Sequence, residues 1–208
     1  MYGLTVTSAP ASEPITTANA KVHCEIPSAD AAHDPYIAAL ITAAREYYER
    51  RTHRALINRT LALTLDKFPS SEPIYLPFSP VSSVTSVAYI DTDGNTQTLS
   101  SSVYKLQKNM EPARIVLAFN QTWPSIRLQA ESITITYIAG YGSSASSVPE
   151  SAVHALRLLI RHWFENRMSV NIGQAVNDVP LAFEALCESA RVPDDFLSYG
   201  CDTWADVA

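Results

Sequence analysis

Two stretches of helical periodicity stand at residues 34–53 and 149–168, and between them residues 56–139 alternate with a period of two. A helix-period pattern does not settle as a strand, nor a strand-period pattern as a helix, so this order constrains the fold more than any other feature. In 34–53, Ile37, Leu40, Ile41, Ala44, Tyr47 and Tyr48 recur at helical spacing and make an apolar stripe. Asp34 is expected to cap this helix, with Pro35 at the first helical position, where its missing N–H costs nothing. Glu46, Glu49, Arg50 and Arg51 fall on the other face, and Arg45 with Glu49 is expected to form an exposed pair four residues apart. In 149–168, Pro149 opens the helix and Glu150 sits near the positive end of its dipole; Ala152, Leu156, Leu159, Ile160 and Trp163 form the stripe. Shorter helices are expected at 16–24, capped by Thr16 or Thr17, and at 180–191, stopped by Pro193.

The middle region reads as an antiparallel β-region of short strands. LINRTLALTLDKF alternates, Asp93-Gly94 is a strong hairpin signal, and SVYKLQ and ARIVLAF are strand-like. ESITITYIAGYG places Ile133, Ile135 and Tyr137 on one face, with Thr134, Thr136 and Ile138 on the other. The expected class is therefore α+β: a small helical bundle, made of two long helices and a C-terminal helix, with a β-rich antiparallel insertion between the helices. Residues 1–15, with Pro10 and Pro14, read as an extended arm, 16–193 as a single domain and 194–208 as an acidic, aromatic-dotted tail. Leu40, Ile41, Leu156, Ile160 and Trp163 are the expected core anchors.

Composition narrows the function. Charged residues make up 17% and the net charge is −6, the wrong sign for a chain that binds nucleic acid by neutralising phosphates. Such a chain suits a channel through which DNA slides without sticking. Cys24, Cys187 and Cys201 show no pairing or metal-binding spacing, which points to reduced thiols in a cytoplasm. The N-terminus lacks a basic start and a long apolar run, so neither a signal peptide nor a membrane partner is expected.

Candidate chemistry is sparse. Residues 140–145 fit G-x-G-x-x-A, but the following helix begins only near Pro149 and no second strand follows it, so a hinge is the better reading than a dinucleotide cradle. His154 and His162 are too far apart on one helix to share a metal, and His53 with Glu49 is no site by itself. The pairs Asp91/Asp93 and Asp194/Asp195 lack the further ligands of a calcium loop. No nucleophile, base and oxyanion donors converge in the sequence, so neither an enzyme nor a cofactor or metal is expected. Two basic, aromatic surfaces remain: Tyr47, Arg50 and Arg51 on the first long helix, and Arg157, Arg161 and Arg167 on the second. Each reads either as a solvated helix face or as a subunit interface.

The segments AALITAAREYYERRTHRALINRTLALTLDKFP at 38–69, IYLPFSPVSSVTSVAYIDTDGNTQTL at 74–99, YIAGYG at 137–142, VPESAVHALRLLIRHWFENRMSV at 148–170 and VPLAFEALCESAR at 179–191 carry a resemblance in their order and spacing. The chain resembles the head–tail connector, or adaptor, family of long-tailed phages and prophages. That resemblance implies a dodecameric ring of identical subunits beneath a portal protein, extending the DNA channel and docking a stopper or tail-completion protein. It implies a place at the head–tail junction of the virion, after assembly in the host cytoplasm. It also implies that C-terminal elements face the portal, making Phe196, Tyr199 and Trp204 the candidate portal contacts. The alternatives are another neck or tail component, such as a stopper or tail terminator, or, in a different class, a carbohydrate- or ligand-binding module or an enzyme on the β-region, where Trp123, Tyr137 and Tyr141 could stack on sugars.

Overall fold

The computed structural model describes residues 2–69, 73–166 and 181–193. These divide into two compact units: residues 11–57, 142–166 and 181–191 in one, and residues 2–10, 58–69, 73–141 and 192–193 in the other. The sequence reading has one domain over 16–193. In the structure the alternating region closes a core of its own, and the chain passes between the units at 10–11, 57–58, 141–142 and 191–192.

The first unit is helical. Helix α1 (Thr17–His23) starts at Thr16, whose hydroxyl accepts the Asn19 N–H at 3.2 Å. Helix α2 (Asp34–Thr52) does not use Asp34 as its cap. A 3₁₀ turn over Ala31–His33 precedes it, and Asp30 caps that turn by accepting the Ala32 N–H at 3.1 Å. Asp34 is thereby moved inside the helix, where its carboxylate takes Lys21 Nζ at 2.8 Å. Helix α3 (Glu150–Glu165) follows Pro149, and helix α4 (Leu181–Ala190) buries Phe183 and Cys187, one turn apart. Helices α2, α3 and α4 all pack on one another, and α1 packs on α2 and α3. Their apolar stripes meet in a core of Ile37, Ile41, Ala44, Tyr48, Ala152, Leu156, Leu159, Ile160 and Phe183, all buried. Complete burial of each large aliphatic here contributes about 1.5–3 kcal/mol before entropy is counted.

The second unit is built from two antiparallel sheets. Strands β1 (Tyr2–Ser8), β2 (Arg59–Leu65), β4 (Val81–Ile90), β5 (Thr96–Thr98) and β8 (Ile133–Ala139) form a five-stranded sheet in the order β1-β2-β8-β4-β5. Strands β3 (Ile74–Tyr75), β6 (Tyr104–Gln107) and β7 (Arg114–Leu117) form a second sheet in the order β3-β7-β6. Strand β8 is central, and its burial alternates along its length, with Ile133, Ile135, Tyr137 and Ala139 buried. Register places Leu61 and Leu63 of β2 opposite Tyr137 and Ile135, and Val87 of β4 opposite Ile135 on the other side. One apolar face is thus shared by three strands, and a slip of one residue would turn it to solvent. Tyr137 Oη donates to the Pro77 carbonyl at 2.8 Å, which satisfies the hydroxyl within this core.

The β4–β5 hairpin turns at Gly94, whose φ of +92° is a conformation few side chains tolerate. Asp91 fixes the turn by accepting the N–H groups of Asp93 and Asn95 at 3.0 and 2.8 Å and the Gln97 amide at 2.9 Å. Part of the expected N-terminal arm is instead β1, paired along β2 from Tyr2–Leu65 to Ser8–Thr60. The two prolines that suggested an arm lie beyond the strand, so nothing in 2–8 prevents pairing.

Candidate functional site

The strongest arrangement of charge on the helical unit is one the sequence placed on the surface. Arg45 and Glu49 are buried, at 6% and 2% exposure. Arg45 Nη1 donates to Glu49 Oε2 at 3.1 Å, and its Nε donates to Glu13 Oε2 at 2.8 Å. Glu49 Oε1 also accepts the Leu56 N–H at 2.8 Å. Residues before α1 and after α2 therefore close over this pair and replace water as its hydrogen-bond partners. Burial disfavours the guanidinium charge, but the Glu13 and Glu49 carboxylates outweigh it and hold the Arg45 pKa above its ordinary value.

The residues proposed for a subunit interface are mostly engaged inside the helical unit. Tyr47 meets Trp163 edge-on, with ring centroids 6.0 Å apart, and Phe183 at 5.7 Å. Arg51 donates to Glu184 Oε2 at 2.6 Å and lies 3.7 Å from Glu188, clamping α2 to α4; the bond to Glu184 raises its pKa. Beside it, Arg54 Nε donates to the Ala190 carbonyl. Arg161 donates to Glu25 and Glu165, each at 2.8 Å, and to the His23 carbonyl at 3.2 Å, fastening the end of α1 to α3. Arg50 is exposed and Arg157 half-buried. Arg167 lies outside the described residues, as do Phe196, Tyr199 and Trp204.

Among the core anchors, Ile41, Leu156 and Ile160 are buried, whereas Leu40 and Trp163 are half-buried. Trp163 stands in the last turn of α3, where its ring meets Tyr47 edge to face. His23 ends α1 with its Nε2 buried and lacking a hydrogen-bond partner among the described residues. Burial lowers its pKa, and Arg161, Arg157 and His154 lower it further against a smaller opposing pull from Glu165. Burial likewise pushes the Cys187 thiol up to about 12, which makes it unreactive.

The glycine loop has a steric explanation. Gly140 has φ +143°, and a Cβ at Gly142 would stand 2.3 Å from Ser147 Oγ. The hydroxyls of Ser144 and Ser146 bond each other at 2.9 Å. Helix α3 opens at Glu150, too late for its N–H groups to line this loop. Among the described residues no three His, Cys, Asp or Glu side chains come together as a metal site, and no helix is long and apolar enough to cross a membrane.

The β-unit carries exposed apolar surface. Phe68 stacks flat on Trp123, centroids 4.6 Å apart, and lines an open groove of about 610 Å³ with Leu117, Ile126 and Leu128. Leu128 is 84% exposed, and Phe119, in the same β7–β8 connection, is 94% exposed. Large apolar side chains presented in this way are typical of surfaces that meet other proteins. Trp123 is held against Phe68, so the sugar-stacking surface considered from the sequence has one of its rings already occupied. Trp123 is the one residue of this surface that the sequence singles out.

No described protein family matches this chain, and no curated protein sequence does. Solved structures do. The chain is similar to one in the virion of a native gene transfer agent particle, with a TM-score of 0.76 and 25% identity over 91% of this chain and 95% of that one. It is similar to a chain in the neck of an empty particle of this kind, computed with C6 symmetry, with a TM-score of 0.77 and 26% identity over 92% of this chain and 96% of that one. A chain in the neck of the native particle, computed with C12 symmetry, gives a TM-score of 0.63 and 25% identity over 90% and 96%.

Proposed function

We propose that this chain is a structural component of a virion neck, and within the neck the subunit of the connector ring between portal and tail. The observation that carries the reading is the structural likeness to neck chains over nine-tenths of both partners, at 25–26% identity. The ring is dodecameric in this reading, stands at the head–tail junction, extends the DNA channel and docks a stopper or tail-completion protein. Its subunits are made in the host cytoplasm. A net charge of −6 suits a channel wall that DNA passes without being gripped or read. No catalytic step is assigned to the chain. Arg50 and Arg157, rather than the internally paired Arg51 and Arg161, are the basic side chains best placed for a neighbour. The tail at 194–208, with Phe196, Tyr199 and Trp204, is assigned to the portal.

Sedimentation with portal-bearing, tail-less heads tests this. The full chain is expected to travel with the heads, and a chain ending at residue 193 to stay folded and remain behind. Equal binding by the shortened chain would remove the portal contact from the tail. Binding of both to tail tubes and of neither to heads would move the protein to the stopper or terminator position.

A further inference from the structure

A ring of identical copies needs two different surfaces on each copy, one for each neighbour. Among the described residues the five-stranded sheet has two edges, β1 and β5, each hydrogen-bonded to a strand on one side only. Proteins usually blunt such edges with charge, proline or brevity, because unpaired N–H and C=O groups template another strand. The smaller sheet does so: its edge strand β3 is two residues long, and the other, β6, carries Lys105. In the larger sheet β5 is brief as well, at three residues, and a register irregularity falls between Val6 and Ser8 of β1, but the rest of that long edge is unprotected. Strand β1 runs seven residues, YGLTVTS, with no charge and no proline, and Val6 on it is 57% exposed. Strand β5, TQT, is also uncharged and exposed throughout.

We infer that neighbouring copies join through these edges, β1 of one copy pairing with β5 of the next, so that the sheet continues from subunit to subunit. This rests on the ring reading above and names the contact that would close the ring. Direction follows from topology. Every neighbouring pair in the sheet is antiparallel, so across five strands β1 and β5 run the same way. Rotation about an axis along the strands keeps that direction, and the join is therefore parallel. Pairing β1 with β1 instead would give twofold dimers, whereas the similar neck chains belong to particles computed with C6 and C12 symmetry. The three residues of β5 limit each join to a few hydrogen bonds. A join that small closes where many copies are held side by side on a platform and stays open between free copies.

Amide hydrogen exchange on the full chain, free in solution and then in rings on portal-bearing heads, tests the inference without any substitution. Exchange at 2–8 and at 95–99 is expected to slow about tenfold or more on ring formation, while 104–107 on β6 is unchanged. Rings that form with β1 or β5 still exchanging at the free rate would overturn the edge-to-edge join and leave the ring reading standing. Failure to form rings at all would overturn both.

Discussion

Glu49 shows how much a single side chain can depend on chain that lies far from it in sequence. It is 2% exposed and holds both Arg45 and the Leu56 N–H. Removing one member of a buried pair leaves the other charged and dry, so Glu49→Ala is expected to cost about 3–5 kcal/mol in denaturant unfolding. Glu49→Gln, which can still accept the Leu56 N–H, should recover part of that loss. The sequence held a clue to this burial. At about 100° per residue, Arg45 lies only about 40° round the helix from Ile41, inside the apolar arc. What it could not give was Glu13, whose approach depends on how the chain before α1 crosses α2. His23 is the other residue of consequence. Its folded-state pKa lies below the ordinary 6.5, so the unfolded chain binds the proton more readily. The stability His23 contributes is therefore present above pH 6.5 and lost as pH falls through the folded value. Thermal melts from pH 7.5 to 5 should show wild type losing more stability than His23→Phe, and equal losses would contradict the assignment.

Among the elements, α3 is the test of how well an apolar stripe ranks its own members. Ile160 is 1% exposed, whereas Trp163 is half-buried against Tyr47. Ile160→Ala should cost about 2–5 kcal/mol, and Trp163→Ala less than the 3–5 kcal/mol of a fully buried tryptophan. Denaturant midpoints for the two variants compare them directly. Periodicity made α2, α3 and β8 legible, because each buries one face along its whole length. The start of α2 was not legible: a 3₁₀ turn capped by Asp30 precedes the helix, His33 stands at the cap position without a side-chain bond, and Asp34 lies inside the helix bonded to Lys21. Strand β1 was missed because its partner β2 stands more than fifty residues along the chain, and pairing at that separation leaves no local mark. At the other end of α1, Thr16→Ala should cost about 1 kcal/mol, read in the same denaturant series.

At the scale of the whole molecule, the chain's order of elements announced its class, while the partition into two units depended on the β-region closing its own core. The candidate surfaces were less legible than the fold. Arg51 and Arg161, expected at an interface by residue type, also bond Glu184, Glu25 and Glu165, partners distant in sequence or across a turn that the sequence does not reveal. Exposed Phe119 and the Phe68 side of the groove carry no sequence signal, because an isolated aromatic in a loop has no period, and Trp123 alone among them stands out as a possible stacking ring. The central claim, a ring at the neck, is tested most directly by imaging DNA-filled, tail-less heads before and after addition of the purified chain. The account predicts a new ring of density at the portal vertex with cyclic symmetry. A folded chain that leaves intact portals bare would contradict it.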